Sequence, residues 1–536
     1  MNPKKQRFLP TAILAMLSFI SLFSQNVKVK EAVLNGDYYF EQENYPVALD
    51  FYLSVYQKEN INHYIGFRIG ECYFYLPEHR NKSLCYYHEA TGKVSVKQAD
   101  ITYAKGFAPA DAYLRLGEMY QRQNMLDSAL QSYLDYKDLL GGPDKINYEK
   151  ANNKIQSIAI AKGLMANPLQ IVETNLGPLI NTRFSDYNPV VSADESILVY
   201  TSFWESADLI FMSRFENGAW GKPLDITEQL GSDGSFYTSA LSSDGKDLYL
   251  VKQDDYNTEI YVSHFNDTAW SIMQKLNNKI NSLSHESSVS VSPDGNTLYF
   301  SSNRPGGYGG FDIYYSVKKD GDWEKPLNMG DVINTPYNEE APFITHNGKH
   351  LFFCSEGHRN MGGMDIFIST KLNDNGWSKP QNAGYPLNTT EDNLFYIPLK
   401  NGEVAYISKK GDNCFGRNDI YRIDFPINEL MQQAITEDEE MEMVNLEIES
   451  VRQYTKDSSI SYTVQVMALR KNLEINYFKE FSDIVVYEGN DNLYRYVIGE
   501  FDSFDKANAT LRKALDYGYH DAFIRTVKSI PGKKYE

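Results

Sequence analysis

SPDGNTLYFSSNRPGGYGGFDIYYS, residues 292–316, reads as a tight turn, a strand, a glycine-rich loop and a second strand. Asp-Gly is a preferred pair for two-residue hairpins, because glycine adopts positive φ at little cost. The strand opening at Asp312 begins with an acidic, an aliphatic and an aromatic residue, and this frame occurs five times. Its anchors are Asp208, Glu259, Asp312, Asp365 and Asp419, at spacings of 51, 53, 53 and 54 residues. Trp220, Trp270, Trp323 and Trp377 follow at 50, 53 and 54, where they are expected to pack between neighbouring repeats. Short strands at that period predict an all-β propeller over 166–426, with four strands per blade. Five blades are counted, or six if an irregular one is hidden at either end.

The segment LQIVETNLGPLINTRFSDYNP at 169–189 matches WEKPLNMGDVINTPYNEEAP and WSKPQNAGYPLNTTEDNL, but lacks the Trp. This offset predicts that the first strand completes the last blade and closes the ring, removing its open edges. The repeats resemble TolB-like and WD-like propellers of bacterial envelope proteins, a likeness that implies a fold and leaves the ligand open. Glycine-rich loops at 305–310, 358–363 and 411–416 occupy equivalent places in three blades. Either they form a docking face to which Arg304, Arg359 and Arg417 lend charge, or glycine merely satisfies tight turns.

Upstream, residues 25–165 show helical periodicity. Gly36, Tyr39, Ala48 and Tyr52 recur as Gly117, Tyr120, Ala129 and Tyr133 at the same offsets. Gly70, Tyr73, Ser83 and Tyr87 form a middle copy with one residue inserted. The pattern is similar to the tetratricopeptide repeat, whose small residues let helices cross closely beside aromatics. That resemblance implies an α-helical solenoid with a concave face for a partner's peptide or helix. The alternative is that these helices simply cap the propeller.

Downstream, residues 437–449 hold seven acidic residues and no basic one, which reads as a solvated linker within 427–458. The order β-α-β-β-α-β then follows at 459–530, a small α+β module of ferredoxin-like kind. YTVQVMALRK, LYRYVIGEFDSFDKA and GYHDAFI resemble the SPOR domain, a family that binds peptidoglycan glycan strands stripped of stem peptides. Met467 stands where that family generally has glycine. Strand alternation sends Tyr462, Val464, Val466, Tyr494, Tyr496 and Ile498 towards the helices, and Gln465, Met467, Arg495 and Val497 outward. Those four are the candidate glycan-binding residues, with Gln465 and Arg495 foremost.

The N-terminus has Lys4, Lys5 and Arg7, an apolar run from Phe8 to Phe23, then Ser24, as expected of a cleaved secretory signal over 1–24. No transmembrane span is expected in the mature chain. With 71 acidic residues against 52 Lys and Arg, the net charge of −19 repels phosphate backbones and argues against nucleic acid. Four cysteines in 536 residues make no disulfide framework. Cys72 and Cys85 either pair after export or remain buried thiols.

No serine-hydrolase elbow, phosphate-binding loop or His-Glu-x-x-His helix occurs, and no catalytic residue, metal or cofactor is implied. His346 and His350 flank an Asn-Gly turn, yet two histidines without a third ligand make a poor metal site. Helical repeats, a propeller and a wall-binding module in this order resemble PorE-type scaffolds of type IX secretion, which end in an OmpA-like domain instead. The expectation is a non-enzymatic, exported, periplasmic scaffold near the outer membrane, tied to peptidoglycan and to envelope proteins. The alternative is a peptidoglycan-remodelling enzyme or its accessory factor.

Overall fold

The computed structural model describes residues 28–425 and 461–535, except 57–60, 142–144, 205, 254–256, 373–375, 400–401, 411–413, 471, 474–476, 482, 490–492, 503, 518, 520–521, 528–529 and 531–532. The expected signal (1–24) and acidic linker lie outside the described residues. Among the described residues no helix is long and apolar enough to cross a membrane. The chain divides at Ile155/Gln156 into two compact units, with the C-terminal module joining the first.

In the first unit, helices Tyr45–Val55, His63–Phe74, Ser83–Ala90, Asp111–Arg122 and Leu126–Leu140 each pack on the next. The glycine–tyrosine spacing in the sequence is a physical contact. A Cβ on Gly36 would stand 2.7 Å from the Tyr52 ring, one on Gly70 2.7 Å from Tyr87, and Gly117 faces Tyr133 in the same way. Each ring is fully buried and held by its hydroxyl, which donates at 2.6 Å to Asp37, Glu71 and Gln121 respectively. The same carboxylates receive an arginine from the following helix. Arg68 Nη2 donates to Asp37 at 2.9 Å and Arg115 Nε to Glu71 at 2.9 Å, with Arg68 over the Phe40 ring and Arg115 over Phe74. Cys72 and Cys85 are both free, buried thiols. Burial pushes the thiol of Cys72 up to about 12.

The second unit carries five successive antiparallel sheets, the blades of a propeller. Their first three strands are Ser185–Val191, Ile197–Trp204 and Ala207–Glu216 in blade 1, Phe236–Leu241, Asp247–Gln253 and Thr258–His264 in blade 2, and Glu286–Val291, Thr297–Ser302 and Asp312–Lys319 in blade 3. Blade 4 has Glu339–Ile344, His350–Ser355 and Asp365–Thr370, and blade 5 has Ile397–Leu399, Val404–Lys409 and Asp419–Asp424. First strands of adjacent blades lie side by side through blades 1 to 4, and blade 5 returns to the first strand of blade 1. No sixth blade is present in this unit among the described residues. The outer strand of blade 5 is Val172–Asn175, from the N-terminal side of the ring, paired antiparallel with Asp419–Asp424. Trp220, Trp270 and Trp323 are buried in clusters shared by blades 5 and 1, 1 and 2, and 2 and 3, and Trp377 packs against the cluster of blades 3 and 4.

The acidic anchors are structural. Asp312 accepts from Tyr308 N at 2.6 Å, Gly309 N at 3.1 Å and Asn328 Nδ2 at 2.7 Å, and Asp419 accepts from Phe415 N at 2.8 Å, Gly416 N at 3.2 Å and Asn175 Nδ2 at 2.8 Å. Each therefore folds its glycine loop and ties it to the outer strand. Asp365 does this with one oxygen alone, taking Met361 N and Asn382 Nδ2 on Oδ2 while the buried Oδ1 has no partner. Burial, above all, pushes its carboxyl up to about 8 from the usual 3.8.

A raised carboxyl value favours the protonated form, so this contribution to stability is complete below about pH 4 and is lost as pH rises towards 8. We expect Asp365→Asn, whose amide nitrogen replaces the unpartnered oxygen, to remove a slope of at most about 1.4 kcal/mol per pH unit in that window. Urea midpoints of both chains from pH 5 to pH 8 check this: the variant should gain on the parent as pH rises. Parallel curves would contradict it.

Candidate functional site

The expected docking face carries the loops between second and third strands of blades 3, 4 and 5. Their glycines are needed for close approach to the next blade. A Cβ on Gly309 would collide with the Tyr337 carbonyl, one on Gly362 with that of Thr390, and one on Gly416 with that of Phe184. Of the three arginines placed there, Arg304 is not available. Its Nη2 donates to Ile280 O at 2.7 Å and to buried Glu286 at 3.0 Å, and its Nε to Ser302 Oγ at 3.0 Å. Glu286 comes from the entry strand of the same blade, which a reading of the loop alone omits. Arg359 and Arg417 are exposed. His346 and His350 do not converge, as His346 Nδ1 meets Ser243 Oγ at 2.9 Å and His350 Nδ1 meets Thr370 Oγ1 at 3.1 Å.

The C-terminal module is a five-stranded antiparallel sheet in the order Phe523–Thr526, Tyr462–Leu469, Tyr494–Phe501, Ile484–Glu488, Lys533–Lys534. The first four strands stand as 4-1-3-2, the arrangement of a β-α-β-β-α-β unit, and the fifth is an addition the sequence reading did not anticipate. Helix Phe504–Asp516 covers one face with Ala507, Leu511 and Ala514, which are fully buried. Residues 458–526 match the SPOR domain family. Peptidoglycan binding is what that family implies for this segment. No curated protein matches the chain in sequence.

Among solved structures, TolB from Acinetobacter baumannii is similar over 46% of this chain at 17% identity and a TM-score of 0.31. The chain spans 56% of that protein's length. The α-L-arabinofuranosidase PaAbf62A from Podospora anserina is similar over 48% of this chain and 97% of its own at 12% identity and a TM-score of 0.33. An α-L-arabinofuranosidase from Lactobacillus brevis shows 14% identity, 46% and 91% coverage and a TM-score of 0.33. None of these likenesses bears on activity.

The SPOR sheet keeps three of the four expected contact residues on the expected face and moves Met467 off it. A bulge between Gln465 and Met467 adds a residue, so Met467 pairs opposite Tyr496 rather than following Gln465 onto the open face. Ala468, not Met467, stands opposite Arg495. Gln465, Arg495 and Val497 do lie opposite the helix-covered face, in register with one another and with Val485 and Tyr487, yet all three are buried, at 7%, 8% and 2% exposure. They sit on the two central strands. Arg525, from the edge strand, reaches in and donates through Nη1 to Gln465 Oε1 at 2.7 Å.

Burial first, and then the charge of Arg495, push the guanidinium of Arg525 down to about 10. The polar strip of this face is therefore Gln465, Arg495 and Arg525, all of them donors suited to hydroxyl, acetamido or carboxylate oxygens. Arg525 was missed by the sequence reading. Its signal was the strand DAFIRTV, where alternation puts Arg525 beside Thr463 and on the same face as Gln465.

Proposed function

We propose that this chain is a non-enzymatic periplasmic scaffold that binds peptidoglycan glycan strands through its SPOR domain and envelope proteins through its helices and propeller. The observation that carries the reading is the SPOR match over 458–526, joined to a sheet of the matching strand order with an arginine-lined polar strip. Gln465, Arg495 and Arg525 are the glycan contacts in this reading.

The helices support a tetratricopeptide-like solenoid, because all three glycine–tyrosine pairs are in contact. The closed propeller presents Arg359 and Arg417 on its loop face as docking charge, without Arg304. Helices, propeller and wall-binding module in this order favour a PorE-like role near the outer membrane, anchoring a type IX secretion or gliding machine.

The test is a sacculus assay with covalently dyed peptidoglycan and the whole chain. A scaffold sediments with the sacculi and leaves the dye in the pellet. Dye released into the supernatant would make the protein a wall-remodelling enzyme instead.

A further inference from the structure

Helix Phe504–Asp516 of the SPOR domain is buried on two sides. Beyond the stripe that packs on its own sheet, Asn508 is buried at 5% exposure and Arg512, one turn on, is half-buried with its side chain at 19%. This side meets helix Ser83–Ala90. Arg512 forms an ion pair with Glu89, donates through Nη1 to Tyr56 Oη at 3.1 Å, and holds its guanidinium 5.5 Å from the centre of the Tyr86 ring. The socket is also bonded within itself, since Tyr56 Oη donates to Glu89 Oε2 at 2.6 Å and the Tyr56 and Tyr86 rings meet edge to face at 5.5 Å.

The chemistry repeats that between successive helices of the first unit. There Arg68 joins Asp37, Tyr52 and Phe40, and Arg115 joins Glu71 and Phe74, with Tyr87 bonded to the same glutamate. In each case an arginine from an incoming helix meets a carboxylate already held by a tyrosine hydroxyl, and lies over an aromatic ring. Arg512 supplies the third example from 423 residues downstream of Glu89.

We propose that the helical layer is a receptor for the chain's own SPOR domain. The Tyr56–Tyr86–Glu89 socket takes Arg512 as its next rung and carries the SPOR domain in a fixed pose on the helices. A desolvated pair of this kind is weakened by losing either member, because the other charge is left buried and uncompensated. Planar stacking and the forked donors make arginine the fitting residue.

The test is hydrogen–deuterium exchange on the full chain carrying Arg512→Glu, Glu89→Arg, or both. Each single reversal should speed exchange of both helix 83–90 and helix 504–516 by about tenfold, and the double reversal should restore much of the protection. Protection of strand Tyr494–Phe501 reports whether the SPOR domain remains folded. If Arg512→Glu unfolds it, Glu89→Arg decides alone, since that residue is outside the domain. Unchanged exchange of 504–516 in Glu89→Arg would overturn the proposal, and so would effects confined to the mutated helix.

Discussion

Asn181→Ala should cost the chain about 3–4 kcal/mol, and roughly 1–2 kcal/mol more than the chemically equivalent Asn334→Ala. Asn181 donates through Nδ2 to Ile420 O at 3.0 Å and to Asn175 Oδ1 at 2.8 Å, and accepts from Ile420 N at 2.8 Å. Asn334 brackets Ile313 in the same way, at 3.0 and 2.7 Å, and donates to Asn328 at 2.8 Å. Either substitution leaves a buried peptide N–H unpaired, while the carbonyl beside it keeps one backbone donor, Leu176 N for Ile420 and Met329 N for Ile313. Asn334 joins residues 21 apart, whereas Asn181 and Ile420 are 239 apart and hold the two ends of the ring together. Losing Asn181 therefore also loosens the Val172–Asn175 strand and uncovers an edge. Urea unfolding of the two full-length variants measures the difference. Equal losses would mean that the ring does not depend on this closure.

Tyr133→Ala is expected to cost about 4 kcal/mol, the range for removing a large, fully buried aromatic side chain. It also removes the Tyr133 hydroxyl that Gln121 Oε1 accepts at 2.6 Å. Gly117→Ala tests the other half of the same contact, and two terms oppose each other. Alanine improves helix propensity by about 1 kcal/mol, but its Cβ meets a ring that cannot retreat while its hydroxyl stays bonded. We expect a net loss of about 1–2 kcal/mol. Thermal melts with circular dichroism at 222 nm give both values. A stabilising Gly117→Ala would show that the ring yields and that the close crossing of these helices is not fixed by it.

Much of this architecture is written locally. The Asp anchors of blades 3 to 5 recur because each folds its own loop within four residues, the tryptophans because each fills the gap to a neighbouring blade, and the glycines because a tyrosine 16 or 17 residues on needs the space. Closure was legible in INTRFSDYNP, whose Asn181 performs for blade 5 what Asn334 and Asn388 perform for blades 3 and 4. The failures all turn on something brought from elsewhere in the chain or hidden in backbone geometry. Arg304 was read as loop charge because nothing in its own loop announces Glu286, 18 residues earlier. Met467 was assigned by simple alternation, which a single extra residue in a bulge reverses. Gln465 and Arg495 were given the right face and the wrong exposure, since alternation knows nothing of Arg525 arriving from the edge strand.

Sedimenting the full chain with purified sacculi before and after amidase digestion shows whether the SPOR domain ties this chain to bare glycan. More protein should pellet once stem peptides are removed, and association should weaken about tenfold when Arg525→Ala and Gln465→Ala are combined. Sedimentation that ignores amidase treatment, or that is untouched by the double substitution, would contradict it.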